Sequence, residues 1–145
     1  MFSLQNKTAL ITGAGSGIGK AIALTFARQG AHVEVLDLSL DAATQAVDEI
    51  KAAGGSAAAS ACDISNTKVA TEHIAGILAR HKRLDILVNN AGIAHIGTAL
   101  TTTDEDLDRL YNVNVKACTT PPSLCSHAWP SRAEESFSTC APSPP

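Results

Sequence analysis

Apolar positions along the first 117 residues follow two alternating rhythms. Residues 7–12 (Lys-Thr-Ala-Leu-Ile-Thr) form a short apolar run ending at a glycine cluster, the pattern of a buried parallel strand. From Gly17 onward Ile18, Ile22, Phe26 and Gln29 recur at helical spacing, and Gly30 supplies a stop. Residues 32–37 are β-branched, end in Asp37 and read as a second strand; Asp41 then caps a helix carrying Ala43, Val47 and Ile50, which Gly54-Gly55 ends. Residues 56–62 are a weak, alanine-rich strand. Asn66 caps a third helix, with Val69, His73, Ile74, Ile77 and Leu78 on one face. Residues 84–89 (Leu-Asp-Ile-Leu-Val-Asn) are a strong buried-strand run, and a fourth helix spans 104–116 with Leu107, Leu110, Val113 and Ala117 on one side.

Strict strand–helix alternation with short loops predicts a parallel sheet covered by helices. Right-handed crossovers make it an α/β, doubly wound, Rossmann-type sheet of about four strands in the order 3-2-1-4, and no internal repeat is visible beyond the alternation.

Composition divides the chain. All ten glycines lie between Gly13 and Gly97, and all six prolines between Pro121 and Pro145. Trp129 and three of the four cysteines (Cys118, Cys125, Cys140) also follow residue 117, and only Cys62 precedes it. Residues 1–117 are therefore expected to form the ordered domain. Residues 118–145, rich in serine and proline, are expected to be an irregular tail, and Pro121-Pro122 would stop the fourth helix.

A net charge of −3 gives neither a basic footprint for nucleic acid nor a polybasic segment for a membrane surface. No apolar run approaches the roughly 20 residues of a membrane helix. Residues 1–7 lack the charged start and apolar core of a signal peptide, so a soluble, cytoplasmic protein is expected. The uneven cysteines argue against a disulfide framework.

Candidate chemistry begins at Thr12-Gly13-Ala14-Gly15-Ser16-Gly17-Ile18-Gly19, between the first strand and the first helix. Glycines there let the main chain approach a pyrophosphate, and the helix start offers free N–H groups and a partial positive charge to that anion. A ligand-free tight turn and the glycine loop of a Rossmann-like methyltransferase are the alternatives. Asp37 ends the second strand 24 positions after Gly13, where a carboxylate can accept hydrogen bonds from an adenosine ribose. Neither Ser16 nor Leu38 is a cation that could neutralise a 2′-phosphate, so NAD is favoured over NADP. The plainer reading of Asp37 is a helix cap.

The pattern Thr12-Gly13-x-x-x-Gly17-x-Gly19 resembles the glycine signature of the short-chain dehydrogenase/reductase family, and three further segments match in order. Cys62-Asp63-Ile64 is similar to the family's third-strand end, whose Asp holds the adenine ring. Asn89-Asn90-Ala91-Gly92 is similar to its Asn-Asn-Ala-Gly motif, and Asn112-Val113-Asn114-Val115 to the segment carrying the tetrad asparagine. The resemblance covers residues 3–117, roughly the first half of a typical member. It implies cofactor contacts from the turn (Thr12, Gly13, Gly15, Ser16, Gly17, Ile18, Gly19), from Asp37 and Leu38, and from Asp63 and Ile64. Further contacts are implied from Asn90, Ala91 and Gly92, and from Val113. Asn114 is the implied catalytic-tetrad position; its plainer reading is an asparagine bonding to helix backbone.

The family's reaction is reversible hydride transfer between a nicotinamide and an alcohol or carbonyl, with a Tyr-x-x-x-Lys pair and a serine handling the proton and the substrate oxygen. The one tyrosine here, Tyr111, is followed four residues later by Val115, and Lys116 is one position too late. Ser123 and Ser131 have no strand to place them. The chain is expected to bind cofactor without catalysing, and a frameshift or truncation near Cys118 is the expected origin. Three readings stay open: an inactive descendant of an NAD-dependent oxidoreductase, a non-catalytic cofactor-binding module, and a non-functional product that barely folds. The usual family tetramer is not expected. The open edge at residues 84–89 invites self-association.

No metal is expected: Cys118, Cys125, His127 and Cys140 include no Cys-x-x-Cys. His73 and His81 read as helix-surface or boundary residues, and His95 as a loop residue near where a substrate would lie.

Overall fold

Strand β1 (Thr8–Thr12) is buried along its whole length, as expected of a central parallel strand. The computed structural model describes residues 3–119. After β1 come α1 (Gly17–Arg28), β2 (His32–Asp37), α2 (Leu40–Ala52), β3 (Ser56–Ala61), α3 (Thr67–His81), β4 (Ile86–Val88) and α4 (Asp104–Asn114). A 3₁₀ helix, Lys116–Thr119, follows α4. The four strands are parallel in the order β3-β2-β1-β4, an α/β Rossmann-type sheet as the alternation predicts. Pro121-Pro122, Ser123, Cys125, His127, Ser131 and Cys140 lie outside the described residues.

Each face of the sheet has its own core. On one face Ile11, Val33, Val35 and Val88 pack with Ala23 and Ala27 of α1 and with Ala43, Val47 and Ile50 of α2. On the other, Leu10, Leu36 and Leu87 pack with Ala70, Ile74 and Ile77 of α3, and with Leu84. Side chains two apart on a strand share a face, so His32, Glu34 and Leu36 of β2 face α3 while Val33 and Val35 face α1 and α2. Glu34 is therefore a carboxylate in a core position, 1% exposed, and it meets His32, Arg80 and His81.

Four sequence expectations are corrected. The buried stripe of α1 is Gly19, Ala23 and Ala27, and Ile18 is 54% exposed. Small side chains on the sheet side bring that helix close, leaving the larger Ile22 and Phe26 only partly covered at its flank. The cap of α2 is Ser39, which accepts from the Ala42 N–H; Asp41 sits in the first turn, where it complements the helix dipole. Strand β4 is three residues long. Leu84 is buried ahead of it, and the Asp85 N–H still bonds the Thr8 carbonyl at 2.9 Å. Leu87 and Val88 are buried on the two faces and Ile86 is half-buried, so among the described residues the unpaired edge of β4 presents mainly backbone. Finally, α4 buries none of its residues, and Leu107 is 55% exposed. The helix is defined by a capping box between Thr103 and Asp106, not by a docked apolar stripe.

Ahead of β4, Asp85 ties this edge to β1. Its Oδ2 accepts from the Thr8 N–H at 2.9 Å, its Oδ1 lies 3.3 Å from Lys7 Nζ, and Arg83 also donates to it. Burial pushes the Asp85 carboxyl up, but the hydrogen bonds from Arg83, Thr8 and Lys7 outweigh it and hold the group below the usual carboxylate range. A depressed folded pKa stabilises fully above the unfolded value of about 4, and the contribution fades as pH falls through the folded value. Asp85→Asn is expected to lower stability at neutral pH and to flatten its decline below about pH 4. Urea melts across an acid pH series check this, and an unchanged acid limb counts against it.

Candidate cofactor-binding site

In an open parallel sheet a ligand is held beyond the carboxyl ends of the strands, where the strand order reverses. Here that point lies between β1 and β4. A cleft of about 240 Å³ opens there, lined by Gly13 and Ser16 after β1 and by Leu36, Asp37 and Leu38 at the end of β2. Cys62, Asp63 and Ile64 follow from β3, Asn90, Ala91, Gly92 and Ile93 from β4, and Val113 from α4.

One hydrogen-bond cluster builds the floor. Thr12 Oγ1 accepts from the N–H groups of Asn90 (3.1 Å) and Ala91 (3.0 Å) and donates to the Val88 carbonyl at 3.5 Å. Asn90 Nδ2 donates to the carbonyls of Thr12 (3.1 Å) and Gly13 (3.2 Å). The loops after β1 and β4 are thereby locked side by side. Gly13 adopts φ +64° with Ala91 Cα 2.8 Å from where a Cβ would lie, so the turn requires glycine both for conformation and for space.

The side wall is acidic. Asp37 Oδ2 accepts from the Gly15 N–H at 2.8 Å and Oδ1 from the Ser39 N–H at 3.1 Å, which fixes the carboxylate between glycine turn and α2. A carboxylate has about four acceptor positions, so capacity for further donors remains. Asp63 Oδ1 accepts from the Ser65 N–H and hydroxyl at 2.9 and 2.6 Å. Burial, and then the neighbouring Asp63 charge, push the Cys62 thiol up, so the thiol itself adds no charge to the wall. Among the described residues no Lys or Arg lines the cleft.

Thr12, Gly15, Gly17, Ile18 and Gly19 do not line it. Thr12 and Gly19 are buried beneath it as structural parts, and Ile18 is turned to solvent. Leu36, Cys62 and Ile93 line it as well, although none of the three was among the implied cofactor contacts. Each adjoins a motif residue, and strand-end position was the available signal. Asn114 is not in the lining. Its Oδ1 accepts from the Ile93 N–H at 2.8 Å and its Nδ2 donates to the Ile93 carbonyl at 2.9 Å, so it clasps a wall-forming loop. His95 is drawn to the start of α4, with Nε2 3.3 Å from Thr102 Oγ1 and Nδ1 3.6 Å from Asp106, and is not part of the cleft. Tyr111 is exposed on α4. Cys118 donates its thiol to the Asn114 carbonyl at 3.4 Å.

The cleft suits a dinucleotide by its own geometry. Helices α2, α3 and α4 each have a side-chain cap, from Ser39, Asn66 and Thr103, whereas Ser16 gives α1 none. The amides at the start of α1 thus remain available to an anion beside Gly13, with the Asp37 carboxylate held against the same glycine turn.

A glycine turn, a switch-point cleft and an acidic second-strand end on a 3-2-1-4 sheet define a Rossmann-type dinucleotide-binding protein. The short chain dehydrogenase model matches residues 7–134, and the chain belongs to this family of oxidoreductases, whose members bind a nicotinamide dinucleotide. That match runs past residue 117, where the motif resemblance ends. An uncharacterized oxidoreductase of Thermotoga maritima is 45% identical over 114 residues, covering 79% of this chain and 45% of the relative. The 7alpha-hydroxysteroid dehydrogenase of Escherichia coli K12 is 49% identical over 89 residues, 61% of this chain and 35% of the relative. A metagenomic short-chain oxidoreductase in complex with NADP superposes with a TM-score of 0.84 at 37% identity, over 88% of this chain and 58% of that one. The chain spans less than half the length of the two curated relatives. Among the described residues no helix is long and apolar enough to cross a membrane.

Proposed function

We propose that this chain binds NAD in the switch-point cleft and does not by itself turn over an alcohol or carbonyl substrate. The carrying observation is Asp37, fixed by two backbone amides at the rim of a cleft whose lining, among the described residues, contains no Lys or Arg. In this reading the amides at the start of α1 and in the glycine turn grip a diphosphate, Asp37 accepts the ribose hydroxyls and Asp63 meets the adenine. Asn90, Ala91 and Gly92 border the inner ribose, and Leu38, Ile64 and Val113 supply apolar contact. Bound there, the cofactor supplies a hydride donor or acceptor for an alcohol–carbonyl couple. Asn114 keeps the Ile93 loop in place, but the 145-residue sequence offers no Tyr-x-x-x-Lys to move a proton at the substrate oxygen.

Calorimetric titration with NAD and NADP tests the binding half. The wild type is expected to prefer NAD. A like charge about 4 Å from a 2′-phosphate is worth about 4 kcal/mol at an effective dielectric near 20, before screening. Asp37→Asn keeps an acceptor for the Gly15 N–H and removes the charge. It is expected to shift the NADP-to-NAD affinity ratio by at least about tenfold, some 1.4 kcal/mol. Equal affinity for both cofactors in the wild type, or an unmoved ratio in the variant, refutes the role given to Asp37. Alcohol-dependent NAD reduction by the purified chain refutes the inactivity. The family tetramer is not expected; any self-association would run along the open backbone edge of β4, which size-exclusion chromatography reads.

A further inference from the structure

At the opposite end of β2 from Asp37, three metal-ligating side chains converge. His32, Glu34 and His81 each offer a donor atom, and these atoms all lie within 4.8 Å of one another. His81 Nε2 is 2.5 Å and His32 Nε2 3.6 Å from Glu34 Oε1, and the two imidazole rings stand 4.7 Å apart at 37°. We propose that His32, Glu34 and His81 form a site for one divalent transition-metal ion of the zinc class, fastening the end of α3 to β2.

Two observations point to a cation. Glu34 Oε2 and His32 Nε2 are buried atoms with no hydrogen-bond partner, on a side chain 1% exposed in the first case. Buried carboxylates and imidazoles are normally satisfied, and a buried carboxylate oxygen left without a hydrogen bond is unfavourable. The competing cation is Arg80, whose Nη2 is 3.6 Å from Glu34 Oε2; its side chain is 57% exposed and long enough to leave for solvent. The second observation is orientation. His32 Nδ1 is 2.7 Å from Ser56 Oγ, the contact that aims the other ring nitrogen at a metal.

Two imidazoles and one carboxylate are the donors of zinc and its neighbours, not of calcium or magnesium. Three protein ligands leave a fourth position, as at zinc sites that keep a water, and both histidine side chains are partly exposed. The ligands also sit on fixed elements. His32 and Glu34 are i, i+2 on one strand, and His81 is the last residue of α3, where the helix dipole favours a cation.

The experiment uses the untagged 145-residue chain stripped with chelator, titrated with zinc chloride by calorimetry and followed by thermal denaturation. One zinc per chain and a raised Tm are expected in the wild type and in His73→Gln, whose imidazole lies outside the cluster. Both effects are expected to vanish in His32→Gln, Glu34→Gln and His81→Gln. If these variants do not fold, Ser56→Ala keeps all three ligands and is expected to weaken zinc by roughly 10- to 100-fold. Cobalt(II) substitution is expected to give ligand-field bands without thiolate charge transfer, which separates this site from the cysteines. Absence of saturable zinc binding by the wild type overturns the proposal. So does binding that survives all three ligand substitutions or Ser56→Ala unchanged, or that carries a thiolate band.

Discussion

Gly19→Ala is expected to abolish measurable NAD binding and to destabilise the chain by about 1–3 kcal/mol, the range for an overpacked core site. Gly19 lies on the sheet side of α1, directly under the glycine turn. A methyl there would fall 2.5 Å from Asn90 Nδ2, 2.9 Å from the Gly13 carbonyl carbon and closer still to its oxygen. Two of these atoms are backbone, and the third already holds the carbonyls of Thr12 and Gly13, so none can yield cheaply. Relief comes only from lifting α1 away from β1, which spoils the cradle of amides. The same substitution at Gly76 is the control. That residue is exposed in α3, and a methyl there would meet nothing nearer than Arg80 Nη1 at 4.0 Å. Gly76→Ala is expected to stabilise by roughly 0.5–1 kcal/mol through helix propensity alone. Denaturant titration of both variants, with calorimetry for NAD, reads the opposite signs; similar behaviour of the two would sink the steric account.

Thr12→Val is expected to lower stability by about 2–4 kcal/mol, although the shape of the side chain is kept. Thr12 is 2% exposed, and its hydroxyl is the acceptor for two backbone N–H groups at the start of the loop after β4. A methyl in its place strands both donors away from water. Each orphaned buried donor costs about 1–3 kcal/mol, and partial exposure of Ala91 reduces the second. Thr12→Ser retains the hydroxyl and is expected to recover most of the loss. Urea unfolding of the pair distinguishes lost hydrogen bonds from lost packing, and equal destabilisation by Ser and Val would favour packing.

Much of the scaffold was legible because the four apolar runs and intervening glycines obey strand and helix periods. Phase was harder to read than period. In α1 the large residues Ile18, Ile22 and Phe26 repeat as a docked face should, yet Gly19, Ala23 and Ala27 repeat one position later and make the contact. Hydrophobicity ranks the larger side chains first, whereas closeness of approach selects the small ones. At α2, Ser39 and Asp41 are both cap formers, and only the path of the chain decides between them. For the site, motif spacing located the cleft, but it did not separate residues that face the ligand space from those that hold the walls. Thr12 and Asn114 belong to the second group. The Glu34 cluster went unread since its third member, His81, lies 47 positions beyond Glu34. A charged residue within an otherwise apolar parallel strand was the available clue.

Asn114 closes α4, and α4 buries no side chain of its own. An isolated helix of 11 residues is marginal in water, so its integrity depends on the cap at Thr103 and on the two bonds that Asn114 makes to Ile93. When that segment unravels, the Ile93 wall loses its clasp; when a molecule fills the cleft against Ile93 and Val113, unravelling becomes harder. Occupancy and helicity are thus thermodynamically linked here, and amide exchange along α4 should slow as the cleft is filled.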